Sequence, residues 1–223
     1  MILGDFGTTW TKIYDTSTGQ RQVIRTKEAG EIRAGLATGH NASQHSTRCI
    51  NELIAMAQGG MRLIGSSFNV LDIGSRDLKY IRMEEGAIKD MNWNAQCGAM
   101  TGFTLELLAS YYNLDFSSIP PADGSYPITC GLLGLERAFD DMAGGAETEE
   151  AIARFAKGLA INAHRFIGEP ERFYLSGGMC ENKLFLKSFP DGVKVIPMGR
   201  FLLLEGLIQE VENTDKLGDS LVT

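Results

Sequence analysis

Leu3-Gly4-Asp5-Phe6-Gly7-Thr8-Thr9-Trp10-Thr11-Lys12 and Leu71-Asp72-Ile73-Gly74-Ser75-Arg76-Asp77-Leu78-Lys79 are two writings of one pattern. In each, a short apolar strand carries an aspartate to its end, small residues make a turn, and a second strand returns. Such a turn exposes backbone N–H groups and hydroxyls that can cradle phosphate oxygens, and the aspartate beside it can hold a metal-bound water. One copy alone reads better as an ordinary hairpin with a polar turn. Two copies, followed by a strand at Phe173–Leu175 that ends in Ser176-Gly177-Gly178, favour a nucleotide site. A glycine pair at a strand end lets a flat adenosine approach the backbone closely.

Within the pattern, Asp5 and Asp72 are the candidate magnesium residues, because each follows an apolar run where an unpaired charge is costly. Thr8, Thr9 and Ser75 are either phosphate-facing hydroxyls or turn formers. Lys12 and Lys79 stand on the returning strands, and Lys79 reads as a surface lysine. The rest of the chain alternates the two kinds of element. Helical spacing predicts helices over 46–58 (closed by Gly59-Gly60), 101–112, 132–142, 148–167 and 201–211, with a loose tail after the last. Further strands are expected at 22–26, 36–39, 69–73, 78–83, 173–175 and 193–196.

The order of these motifs resembles that of the actin-like ATPases. The segment Asn94-Ala95-Gln96-Cys97-Gly98-Ala99-Met100-Thr101-Gly102 narrows the match, being similar to the Lys-Cys-Ala-Ala-Gly-Thr-Gly signature of the 2-hydroxyacyl-CoA dehydratase activators and benzoyl-CoA reductase ATPase subunits. Ile128-Thr129-Cys130, opening a predicted helix, resembles that family's second cysteine segment, and Ala37-Thr38-Gly39, Glu52 and Gly206 also match. The resemblance implies an α/β, two-lobed actin-like (ribonuclease H-like) fold. The first lobe would comprise residues 1–69 with the C-terminal helix 201–223, and the second residues 70–200. The stretch from Lys12 to Thr38 is much shorter than the family's, so a first-lobe helix is expected to be missing or reduced.

The resemblance further implies an ATP-hydrolysing activator that passes an electron from one [4Fe-4S] cluster per homodimer to a partner dehydratase or reductase. ATP or ADP with Mg2+ would be bound. Asp5, Asp72 and Arg76 would serve catalysis, and Gly7, Thr8, Thr9, Lys12, Gly74, Ser75, Gly102, Glu106, Gly177, Gly178 and Gly206 would hold the nucleotide. Cys97 and Cys130 would hold the cluster, two from each subunit, with ferredoxin or flavodoxin as electron donor. Both cysteines precede predicted helices, where the positive N-terminus favours a thiolate. Cys49 and Cys180 have no counterpart and read as buried structural thiols. Further departures are written in the chain: Arg76 stands where the family has glutamine, Met100 where it has glycine, and after Cys130 the family's acidic pair is reduced to Glu136, out of register.

Composition limits the other classes. The chain has 223 residues and a formal net charge of −7, without a basic cluster, which argues against a nucleic-acid partner. An apolar run long enough to span a bilayer is missing, as is a basic region leading into an apolar stretch, so a cytoplasmic protein away from membranes is expected. His40, His45 and His164 have no ligand-spaced companions. A small-molecule kinase on the same fold, such as a sugar kinase, and a non-catalytic nucleotide-binding scaffold are the competing readings. Neither would need Cys97 and Cys130.

Overall fold

The computed structural model describes residues 1–94, 101–128 and 130–220. The chain divides into two compact units. One holds residues 1–68, 81–91 and 200–223, and the other holds 69–80 and 92–199.

In the first unit, β1 (Ile2–Phe6), β2 (Trp10–Asp15), β3 (Arg21–Arg25) and β4 (Leu36–Thr38) form a sheet of order β3-β2-β1-β4. The hairpin strands are antiparallel, and β4 runs parallel to β1 with Asp5 opposite Thr38. Between β3 and β4 the chain makes a single 3-10 turn at Thr26–Glu28, in place of the crossover helix a parallel connection usually carries. This is the shortening expected from the sequence. A four-residue helix, α1 (Ala42–His45), follows.

α2 spans Glu52–Leu63, capped by Asn51, whose side chain accepts the Leu53 N–H at 2.8 Å. It runs through Gly59 and Gly60 instead of stopping at them. The physical reason is a close crossing with α7 (Leu202–Ser220). A Cβ on Gly59 would overlap the Leu202 carbonyl, and one on Gly206 would overlap the Ala55 carbonyl. The glycines let two backbones touch, which sequence spacing alone reads as a helix end. α7 also continues past the expected end at 211. Gln58 donates to Glu210 at 2.6 Å just before that end, and Arg62 pairs with Glu212 at 2.6 Å just past it, holding α7 against α2 there. Glu205, buried in the same seam, pairs with Arg21 and with Arg62 at 3.1 Å.

This crossing carries a measurable consequence. Gly206→Ala is expected to lower the urea midpoint. Backbone displacement of this kind costs about 1–3 kcal/mol, which outweighs the gain of up to ~1 kcal/mol in helix propensity. A midpoint equal to the wild type would show that the helices do not meet at this spacing.

The second sheet contains β5 (Phe68–Ile73), β6 (Leu78–Glu84), β7 (Ala87–Asn94), β8 (Arg172–Ser176) and β9 (Lys194–Pro197), in the order β7-β6-β5-β8-β9. Its first four positions repeat the order of the first sheet, with β8 parallel to β5 as β4 is to β1. The strand carrying the aspartate is central in both. This doubled arrangement is the actin-like fold. β7 was not expected, because its residues Ala87–Trp93 are exposed on both faces and show no half-buried alternation.

α3 (Gly102–Tyr112), α4 (Gly131–Ala143), α5 (Thr148–Phe166) and the short α6 (Lys183–Lys187) belong to the second unit. α5 buries Ile152, Phe155, Ala156, Leu159 and Ala163, the stripe read from the sequence, in a core shared with Leu71, Ile73, Phe173 and Leu175.

Candidate functional site

The first aspartate lies where β1 ends. Asp5 is buried, and its Oδ2 accepts from Lys12 Nζ at 2.9 Å, a pair set up by the cross-strand register that places Lys12 opposite Asp5. A charged group this deep needs such a partner. Gly39 approaches from β4 with φ 99°, and a Cβ there would sit 2.6 Å from the Phe6 carbonyl and 2.8 Å from Asp5 Oδ1. That explains glycine after Ala37-Thr38. The Gly7 carbonyl is fixed by Thr26 Oγ1 and Asn41 Nδ2, both at 3.0 Å, which leaves the exposed Thr8 and half-buried Thr9 at the tip of the turn.

The second aspartate repeats the placement. Asp72 is buried in β5, level with Ser176 on β8. The turn that follows closes through the Gly74 N–H and the Asp77 carbonyl at 3.1 Å, with Ser75 half-buried and Arg76 exposed. Lys79 corrects the surface reading: it is 3% exposed and pairs with Asp77 Oδ1 at 2.6 Å. Its position inside the sheet forces that neutralisation.

β8 ends at Ser176, and Gly177 turns the chain with φ 88°, packed so closely on Ile73 that a Cβ would overlap its carbonyl oxygen. Gly178 is different, with open space where its Cβ would be. Ser176 Oγ is buried and makes no hydrogen bond among the described residues. This hydroxyl beside Asp72 is a candidate that sequence reading missed. The signal was its place directly before the glycine pair. Gly102 opens α3 and donates its N–H to the Gly74 carbonyl at 3.2 Å, while half-buried Glu106 lies one turn further along. Gly206 is accounted for by the crossing with α2.

Of the cysteines, Cys97 lies outside the described residues. Cys130 is the N-cap of α4, in extended conformation and partly exposed. A 13-residue helix pointing its N-terminus at this thiol favours the thiolate. The loop leading to it is pinned by Tyr126, whose hydroxyl donates to Asp141 at 2.7 Å. Burial, then Asp141, pushes the Tyr126 phenol up to about 12, so it stays a donor at neutral pH. Cys180 is buried in the core as expected, but Cys49 is exposed, its thiol 3.4 Å from the Ser46 carbonyl. It follows the edge of β4, outside any apolar cluster.

Comparison with known proteins gives the same direction. No family profile matches the chain. It is 21% identical over 182 residues to the (R)-2-hydroxyglutaryl-CoA dehydratase activating ATPase of Acidaminococcus fermentans, covering 74% of this chain and 70% of that protein. It is 26% identical over 168 residues to the activator of lactoyl-CoA dehydratase of Anaerotignum propionicum, covering 68% and 63%. The proteins to which it is similar in sequence are activators of 2-hydroxyacyl-CoA dehydratases. The matched stretch thus spans less than two thirds of the second relative and slightly more of the first. The structure of the activator of 2-hydroxyisocaproyl-CoA dehydratase from Clostridium difficile, with bound ADPNP, superposes with a TM-score of 0.81 at 18% identity, covering 100% of this chain and 98% of that one. That likeness shows the shared actin-like fold. Among the described residues, no helix is long and apolar enough to cross a membrane, and no group of three or more His, Cys, Asp or Glu side chains could hold a metal ion.

Proposed function

We propose that this chain binds and hydrolyses MgATP and serves as the activator of an acyl-CoA dehydratase or a related reductase. The observation that carries the reading is the doubled aspartate hairpin, with Asp5 and Asp72 buried at equivalent ends of the central strands of two sheets of the same order. Asp5, neutralised by Lys12, and Asp72, beside the unsatisfied Ser176 hydroxyl, suit the orientation of water around Mg2+. The turns at Gly7-Thr8-Thr9 and Gly74-Ser75 offer N–H groups and hydroxyls to phosphate, and exposed Arg76 offers a guanidinium to the terminal one. The open backbone at Gly178 suits adenosine.

In the same reading, Cys130 and Cys97 hold one [4Fe-4S] cluster across a homodimer, and the cluster supplies a low-potential electron to the partner enzyme. Two thiolates per chain suit a two-fold site. Exposed apolar side chains follow both cysteines: Phe103, Leu107 and Tyr111 along α3, and Leu132 and Leu133 at the start of α4. Such residues suit a surface covered by a second copy. Ferredoxin or flavodoxin is the class of donor expected. The test is anaerobic purification with iron and sulfide analysis, native mass and MgATP turnover. A brown dimer with four irons and a measurable ATPase rate is expected. A colourless protein that phosphorylates a sugar would transfer the chain to the kinases.

A further inference from the structure

The second phosphate turn is tied to both ends of the segment that carries Cys97. On the upstream side, Trp93 Nε1–H donates to Asp77 Oδ2 at 2.8 Å. The other carboxylate oxygen of Asp77 accepts from Lys79 at 2.6 Å, and Lys79 Nζ lies 5.1 Å from the centre of the Trp93 ring. Carboxylate, ammonium and indole thus form one closed cluster, and each group fixes the orientation of the others. On the downstream side, Thr101 Oγ1 donates to the Ser75 carbonyl at 2.6 Å, and the Gly102 N–H donates to the Gly74 carbonyl at 3.2 Å. Three of the four turn residues, Gly74, Ser75 and Asp77, therefore each hold a residue that brackets positions 94–100.

The Trp93 bond is not a packing by-product. Its side chain is 42% exposed, on a strand with exposed faces, and a solvent-facing tryptophan gains little from burial there. What holds it is the directed bond to a carboxylate already oriented by a buried lysine.

We propose that Trp93 and Thr101 are positioning residues that fasten the two ends of the Cys97 segment to the phosphate turn, so that the occupancy of the turn sets where those ends lie. The inference rests on the reading that residues 74–77 bind nucleotide phosphate. A phosphate group drawing on the turn's N–H groups shifts its carbonyls and the Asp77 carboxylate. The shift reaches position 93 through the indole and position 101 through the threonine hydroxyl, with no need for a rearrangement of the core.

The test is hydrogen exchange in the peptide covering 92–102, measured on the full-length protein with MgADP, with magnesium and a non-hydrolysable ATP analogue, and without nucleotide. Nucleotide affinity is measured in parallel by calorimetry. In the wild type the ATP analogue is expected to change exchange in this peptide. Trp93→Phe removes the donor but keeps an aromatic ring, and Thr101→Val removes the hydroxyl but keeps the shape. Each is expected to reduce the nucleotide-dependent change by about tenfold, the worth of one hydrogen bond to a charged or buried partner, while affinity stays within about threefold. Thr101→Ser, which restores the hydroxyl, is expected to keep the response. A purely structural role would instead raise exchange equally with and without nucleotide, and that result overturns the proposal. So does an undiminished response in both variants, a loss of response that merely tracks lost affinity, or a wild type that binds nucleotide with no change in this peptide. A wild type that binds no nucleotide overturns the phosphate reading itself, and the fastening role with it.

Discussion

Cys130→Ser protein purified without oxygen is expected to carry almost no iron and to lose electron transfer, while its ATP binding and fold persist. The thiol sits at the N-cap of α4, where the backbone is extended and the helix N-terminus faces it. That setting stabilises a negative sulfur and offsets part of a cluster's charge. A serine oxygen in the same place is a poor ligand for iron, and a two-fold site loses two of its four ligands at once. Loss of an outer-shell partner alone costs a metal site roughly 10–100-fold, so loss of a ligand should exceed that. Cys97→Ser is expected to behave alike. Cys49→Ser, at an exposed position outside the core, should retain its iron. Iron content unchanged in both Cys97 and Cys130 variants would end the cluster assignment and leave an ATPase without redox chemistry.

Asp72→Ala is expected to cut MgATP turnover by about two to three orders of magnitude, the usual range for losing one preorganised electrostatic contact in an active site. The carboxylate is buried at the end of the central strand β5 and level with the buried hydroxyl of Ser176. A carboxylate this deep is costly to keep charged, and in the proposed site a magnesium ion with its waters would offset that charge when nucleotide is bound. Asp72→Asn preserves size and part of the hydrogen bonding. It should keep the fold, as read by circular dichroism, yet remain slow. Normal turnover in the asparagine protein would move the metal site elsewhere.

The parts of this molecule that repeat were the most legible in its sequence. The two hairpins announced themselves because the same aspartate-and-small-residue turn is written twice, and the sheets then supplied the same order twice. The missing helix between β3 and β4 was readable from the shortness of the stretch from Lys12 to Thr38 beside the family it resembles. What stayed hidden depended on neighbours distant in the chain. Gly59 and Gly60 read as a terminator because local spacing carries no trace of α7, far downstream, pressing on Gly59, or of the Phe68 ring packed against Gly60. Lys79 read as a surface lysine because nothing nearby in sequence says that β6 lies inside a five-stranded sheet, where its ammonium must meet Asp77. Trp93 went unread for the opposite reason: an exposed strand has no periodicity to betray it. Ser176 read as part of a turn, and only its burial without a hydrogen-bond partner among the described residues marks it as a candidate.

The interleaving of the two units also bears on synthesis. Leu3 and Leu36 share one apolar cluster with Leu204 and Leu207, so β1 is covered by a helix synthesised long after it. At about 5–20 residues per second, that cover arrives on the order of ten to forty seconds later. Residues 92–199, by contrast, supply most of a core that has emerged in full before α7 appears. The later-born unit is therefore positioned to fold first, inside an outer one still unfinished. The nascent chain passes through a period in which Leu3 and Leu36, on the strands that α7 later covers, stand bare of that apolar partner.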